Sequence, residues 1–124
     1  MTTTNPDLAL NNAAIAPDAI PSRDCILATL QHIAPDLQTK YGVTRLGLFG
    51  SVVRNQASTT SDIDTVVEME PSLLKRAGLK LELEATFQRS VDVIRYRDDM
   101  NPYLKAHIDR EAIYRLPVTQ KWTE

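Results

Sequence analysis

The chain has 124 residues, 43% of them hydrophobic and 24% charged, with a formal net charge of -2. That is room for one domain able to bury roughly two-thirds of its unfolded surface, and it excludes a disordered or fibrous chain. The slight acidity argues against a protein built mainly to grip phosphates, so no direct nucleic-acid binding is expected. A single cysteine, Cys25, excludes an internal disulfide and a cysteine-built zinc site. The longest apolar runs fall far short of the about 20 residues that cross a bilayer. The first residues also lack the basic and apolar regions of a secretory signal, so a cytoplasmic protein without a membrane role is expected.

Residues 1–21 are rich in Thr, Asn, Pro and Ala, sustain no hydrophobic period and read as a flexible N-terminal tail. Order is expected from residue 22 to residue 116, with a short C-terminal tail at 117–124. Ser22 can cap a helix, Asp24 suits its first turn, and Ile26, Leu30, Ile33 and Leu37 form one apolar stripe. Pro35 predicts a kink or a fresh start in that helix. Cys25 and His32 are expected to serve packing or the surface. Gly42 stops the helix, and Val43 to Phe49 is a strand candidate running into Gly50-Ser51.

After a polar stretch, Ile63 to Met69 reads as a second strand, broken by Pro71 and Ser72. Leu73 to Phe87 reads as a helix, with Leu74, Ala77, Leu81 and Ala85 on one side and Leu79, Leu83 and Phe87 on another. Gly78 weakens its front half, so the firm part is expected to begin there. Val91 to Tyr96 is a third strand, Pro102 opens a last helix to about Asp109, and Ala112 to Leu116 reads as a short edge strand. The pattern is that of an α+β (two-layer α/β) domain, a small mixed sheet flanked by helices.

The chemistry-bearing segment is Leu48-Phe49-Gly50-Ser51, ten residues, then Asp62-Ile63-Asp64. Alternate residues of a strand face the same way, so Asp62 and Asp64 project together. Two carboxylates so close repel unless a cation lies between them, and a hard divalent ion such as Mg²⁺ suits oxygen donors. Asp92, set among Val91, Val93 and Ile94, is costly to bury unless paired or coordinated. If the strands at 62 and 91 are neighbours, the three acids converge. Gly50 lets backbone approach a ligand, and a short helix over Val52 to Arg54 would aim its N–H groups at phosphate. The Ser51 hydroxyl can join them, and Arg54, a turn later, can either reach a phosphate or sit as an exposed loop arginine. A phosphate cradle opposite a carboxylate cluster suits two-metal phosphoryl or nucleotidyl transfer. Lys105 and His107 are expected in solvent, and Tyr114 and Trp122 are candidate interface anchors.

These residues resemble a known family. Gly50-Ser51-x10-Asp62-x-Asp64 is similar to the signature of the polymerase-β-like nucleotidyltransferases, and within them the chain resembles the minimal nucleotidyltransferases, over roughly residues 22 to 116. Leu81-Glu82-Leu83-Glu84 followed by Val91-Asp92-Val93 resembles the family's second helix and third carboxylate. Asn55 stands where the family commonly has Gly, and Thr65 where Leu is usual; all three carboxylates are kept. The resemblance implies the polymerase-β-like fold, with Asp62, Asp64 and Asp92 as catalytic metal ligands for Mg²⁺, two ions in all. It implies ATP as co-substrate, bound by Gly50, Ser51 and Arg54. It further implies an antitoxin that transfers AMP to a tyrosine of a HEPN-type ribonuclease toxin, in a hetero-oligomer. With no acceptor-binding domain expected beyond the core, a partner protein is expected to present the acceptor. Two alternatives stay open: transfer to a small molecule or RNA end, and an antitoxin that acts by binding alone.

Overall fold

Ser22 caps the first helix as its chemistry suggests. Its hydroxyl accepts the Cys25 N–H at 3.4 Å, and helix α1 runs over Arg23–Tyr41. The structure, a computed structural model, describes residues 20–116; nearly all of the two expected tails, Trp122 among them, lies outside the described residues. Gly42 closes α1 with φ of 71°, its N–H donating to the Gln38 carbonyl at 2.9 Å. The left-handed conformation costs glycine nothing, which is why the helix stops there. Pro35 lies inside a continuous α1, so it does not make the fresh helix start that was one of the two expectations. It lies on the exposed side, as does Gln31, whose carbonyl loses its helical partner there and can turn to water. Ile26, Leu27, Leu30, Ala34 and Leu37 form the buried face.

Strands β1 (Arg45–Phe49), β2 (Ile63–Glu68), β3 (Val91–Arg95) and β4 (Ile113–Leu116) form one sheet in the order β3-β2-β1-β4. Strand β1 pairs antiparallel with β2 and β4, while β2 and β3 run parallel, so the sheet is mixed. Helix α2, Leu73–Phe87, carries the chain between the parallel strands. Ser72 caps it, accepting the Lys75 N–H at 3.2 Å, and the helix is continuous through Gly78. A Cβ at 78 would stand 3.1 Å from the Tyr41 ring, so the glycine lets α1 and α2 approach. Of the two apolar sides of α2, that of Leu79, Leu83 and Phe87 is buried; Leu74 and Leu81 are exposed.

Alternation along the strands sends side chains to two clusters. On one face Leu46, Leu48, Ile63, Val67 and Val91 pack with the buried faces of α1 and α2. On the other, Phe49 and Val66 meet Ile108 of helix α3 (Pro102–Glu111), with Leu104, Tyr96 and Tyr114 around them. Asn101 caps α3 by accepting the Tyr103 and Leu104 N–H groups, and Pro102 opens it. Tyr114, partly buried, packs on its own domain, with the Arg45 guanidinium 3.9 Å from its ring centre. Among the described residues, no helix is long and apolar enough to cross a membrane.

Candidate active site

Phe49, Asp64 and Asp92 lie in one row across three strands, and Gly50 follows directly at the end of β1. Phe49 pairs with Asp64, and Asp64 pairs with Asp92, so the end of β1 and the beginnings of β2 and β3 coincide. Asp64 and Asp92 are two residues before Val66 and Ile94, so their side chains point to the α3 face of the sheet. Gly50 has φ of 86°, and a Cβ built on it would collide with the Asp64 carboxylate. Only glycine fits, for backbone and for space.

The turn after Gly50 is held in several places. Val52 is buried in the main core. The Arg54 N–H donates to the Gly50 carbonyl at 3.2 Å and the Gln56 N–H to the Ser51 carbonyl at 2.9 Å. Asn55 takes φ of 58°, the left-handed conformation a glycine would favour. Arg23 of α1 donates to the Val53 carbonyl at 3.2 Å. Residues 51–55 form turns, and the short helix expected over Val52 to Arg54 is absent. With prolonged helix geometry lost, any phosphate contact there falls to individual N–H groups rather than to a helix dipole.

The carboxylates differ in setting. Asp64 is half-buried, whereas Asp62, one residue before β2, and Asp92 are exposed. The burial cost expected for Asp92 falls instead on Asp64, because β3 is an edge strand. Burial, then the charge and hydrogen bond of Asp92, then Asp62 push the Asp64 pKa from 3.8 up to about 6; Arg54 opposes them. Fixed like charge around oxygen donors is what a hard divalent cation neutralises, so the donor chemistry fits Mg²⁺. Among the described residues, though, no three acidic or other ligating side chains are gathered as a ready cage. Asp64 and Asp92 form a pair, and Asp62 stands two residues earlier at the same end.

Four supports around the site were not foreseen. Glu111, the last residue of α3, accepts the Gly50 N–H at 2.7 Å and pairs with Arg54 at 3.0 Å. His107, expected in solvent, lies 3.1 Å from both Arg54 and Glu111. Thr65, a departure read as packing, is fully buried and donates its hydroxyl to the Asp92 carbonyl at 2.8 Å. On β3, the Val91 N–H donates to Glu84 at 3.1 Å, and Lys80 donates to the Val91 carbonyl at 2.7 Å. A Glu four residues after a Lys on α2 signals a pair, but nothing local shows that the pair grips the residue before Asp92.

Residues 30–115 match the family model of the nucleotidyltransferase domain. A solved minimal nucleotidyltransferase superposes with a TM-score of 0.62 at 34% identity, over 74% of this chain and 94% of that one. The chain belongs to the minimal nucleotidyltransferases. The protein adenylyltransferase MntA of Thermococcus cleftensis is 36% identical over 81 residues, covering 64% of this chain and 81% of that one. A chain from the complex of tri-AMPylated Shewanella oneidensis HEPN toxin with its MNT antitoxin superposes with a TM-score of 0.55. At 17% identity, over 77% of this chain and 76% of that one, this likeness concerns the fold. As a minimal nucleotidyltransferase the chain has the family's α+β architecture.

Proposed function

We propose that the protein transfers AMP from ATP to a tyrosine hydroxyl of a HEPN-type ribonuclease and thereby acts as that toxin's antitoxin. The observation that carries the reading is the close approach of the Cβ-free Gly50 to the Asp64 carboxylate, with Asp92 paired beside Asp64 on the next strand. The names of relatives add support: one is a protein adenylyltransferase, and one structural neighbour is a complex of an AMP-bearing HEPN toxin with its antitoxin.

In this reading Asp62, Asp64 and Asp92 hold Mg²⁺, which would supply charge neutralisation for the triphosphate and a more acidic nucleophile. Ser51 would offer its hydroxyl to the phosphates, and Gly50 and Arg54 would add N–H and guanidinium donors by exchanging their bonds to Glu111 for phosphate oxygens. A phenol has an unperturbed pKa near 10 and is a poor nucleophile while protonated. In this reading Asp92, which is exposed, would accept that proton as the oxygen attacks the α-phosphorus and pyrophosphate leaves. The attached AMP would then put bulk and negative charge where the toxin binds RNA phosphates.

The test is co-expression of a HEPN-type ribonuclease from the same genome with wild type or Asp62→Asn, followed by weighing the purified ribonuclease. Added mass in AMP units is expected with wild type alone, together with loss of RNA cleavage. Equal neutralisation by both proteins without added mass would replace transfer by binding alone. Undiminished transfer in excess chelator would remove the metal assignment.

A further inference from the structure

Strand β3 is an edge of the sheet, and its free side is not uniform. Its pairing with β2 places Ser90, Asp92, Ile94 and Tyr96 backbone groups inward; the Ile63 N–H bonds the Ser90 carbonyl, and the Tyr96 N–H bonds the Val67 carbonyl. Val91, Val93 and Arg95 therefore present their N–H and C=O groups outward. Those of Val91 are taken by Glu84 and Lys80, the usual way of blunting an edge with side chains. Val93 and Arg95 have no such cover from α2.

The side chains beside this open stretch are strongly basic. Two adjoining hollows, about 390 and 220 Å³, share Arg76, Arg95 and Arg97 in their linings, and no acidic residue lines either. Among the described residues Arg76 has no ion-pair partner, and Arg97 has only exposed Asp99, at 3.4 Å. Arg95 is fixed by its bond to the Met69 carbonyl at 3.0 Å. The nearby Lys75–Glu70 pair is self-neutralised. In a chain of net charge -2, three arginines are thus collected along one strand edge that begins one residue after Asp92.

We infer that the open edge of β3 docks an extended, acidic segment of the acceptor protein, which pairs with Val93 and Arg95 and sets its carboxylates against Arg76, Arg95 and Arg97. The inference rests on the reading that the acceptor is a protein. Backbone pairing supplies affinity that tolerates many sequences, and the arginines select charge. An edge strand favours a peptide over RNA, because a nucleic acid has no backbone able to extend a β-ladder.

The direct test uses a fluorescent peptide of alternating Glu and Val, roughly eight residues long to match a strand, and its Lys–Val counterpart. Anisotropy titrations with the full chain should show the Glu–Val peptide binding at least about tenfold tighter. Binding should weaken with salt and fall by about tenfold in Arg76→Glu/Arg97→Glu, whose circular dichroism should match wild type. Hydrogen exchange of the Val93 and Arg95 amides should slow on binding, which a merely electrostatic surface contact would not produce. Equal affinity for both peptides, no binding of either, or protection elsewhere would overturn the docking edge. So would a single-stranded RNA that displaces the peptide and binds tighter. Absence of AMP transfer by wild type would count against the proposed function and leave these binding results to stand separately.

Discussion

Glu111 holds the backbone N–H of Gly50 at 2.7 Å, so a carboxylate of the protein itself occupies a donor that a phosphate cradle would use. Burial would raise its pKa, but the Gly50 N–H, Arg54 and His107 outweigh burial and hold it below the ordinary glutamate value. A fixed negative charge there opposes a triphosphate. Glu111→Gln keeps an acceptor for Gly50 and releases Arg54. Calorimetry should show ATP binding about fivefold tighter, the worth of roughly 1 kcal/mol of repulsion removed at short range. Denaturation should show a stability loss of about 1 kcal/mol, because the bond is no longer charge-assisted. Unchanged or weaker ATP binding would mean that Glu111 serves the turn and does not compete with phosphate.

Asp64→Asn separates stability from activity. The carboxylate is half-buried beside Asp92, and its raised pKa records that the charged form is disfavoured in the fold. Removing the charge should stabilise the metal-free protein by about 1 kcal/mol after allowance for solvent screening, or about 4–8 °C in Tm. Nucleotide transfer should disappear in the same variant. A fall in Tm without metal would show that Asp64 is compensated by contacts other than those seen.

Gly50→Ala should cost about 1–3 kcal/mol of stability, since its φ of 86° disfavours any Cβ and the new atom strikes the Asp64 carboxylate. Turnover should fall more than ATP affinity, because Asp64 is displaced while the rest of the turn remains. Chemical denaturation and steady-state kinetics on the same preparation read both effects.

Acid should loosen the anchoring of β3 by Glu84. The Lys80 hydrogen bond, followed by the Val91 N–H, lowers the Glu84 pKa below its ordinary 4.5. A depressed carboxylate contributes stability that is fully present above its unfolded pKa and is lost as pH falls through the folded one. Glu84→Gln should therefore be less stable than wild type at neutral pH, and the gap should close below about pH 4.5. The measurement is Tm against pH for both proteins. A gap that persists unchanged in acid would assign the loss to packing, not to charge.

What could be read along the chain was local in origin. Caps and breakers act within a turn or two, so Ser22, Gly42 and Pro102 marked helix ends that the structure keeps. Alternation by two placed Asp62 and Asp64 at one strand end, and the Gly50-Ser51 spacing singled out the segment that meets them. The same local view over-read Gly78, since a glycine signal does not say whether the residue faces water or a neighbouring ring. Tertiary structure alone decided the rest. Parallel pairing of β2 with β3 put Asp92 beside Asp64, and the edge position of β3 left Asp92 exposed. Packing against α1 chose which apolar side of α2 is buried. Folding of α3 over the far face of the sheet carried Glu111, sixty-one residues along the chain, onto Gly50. No periodicity encodes such a contact, because it depends on where two separate elements end once both have packed against the same sheet.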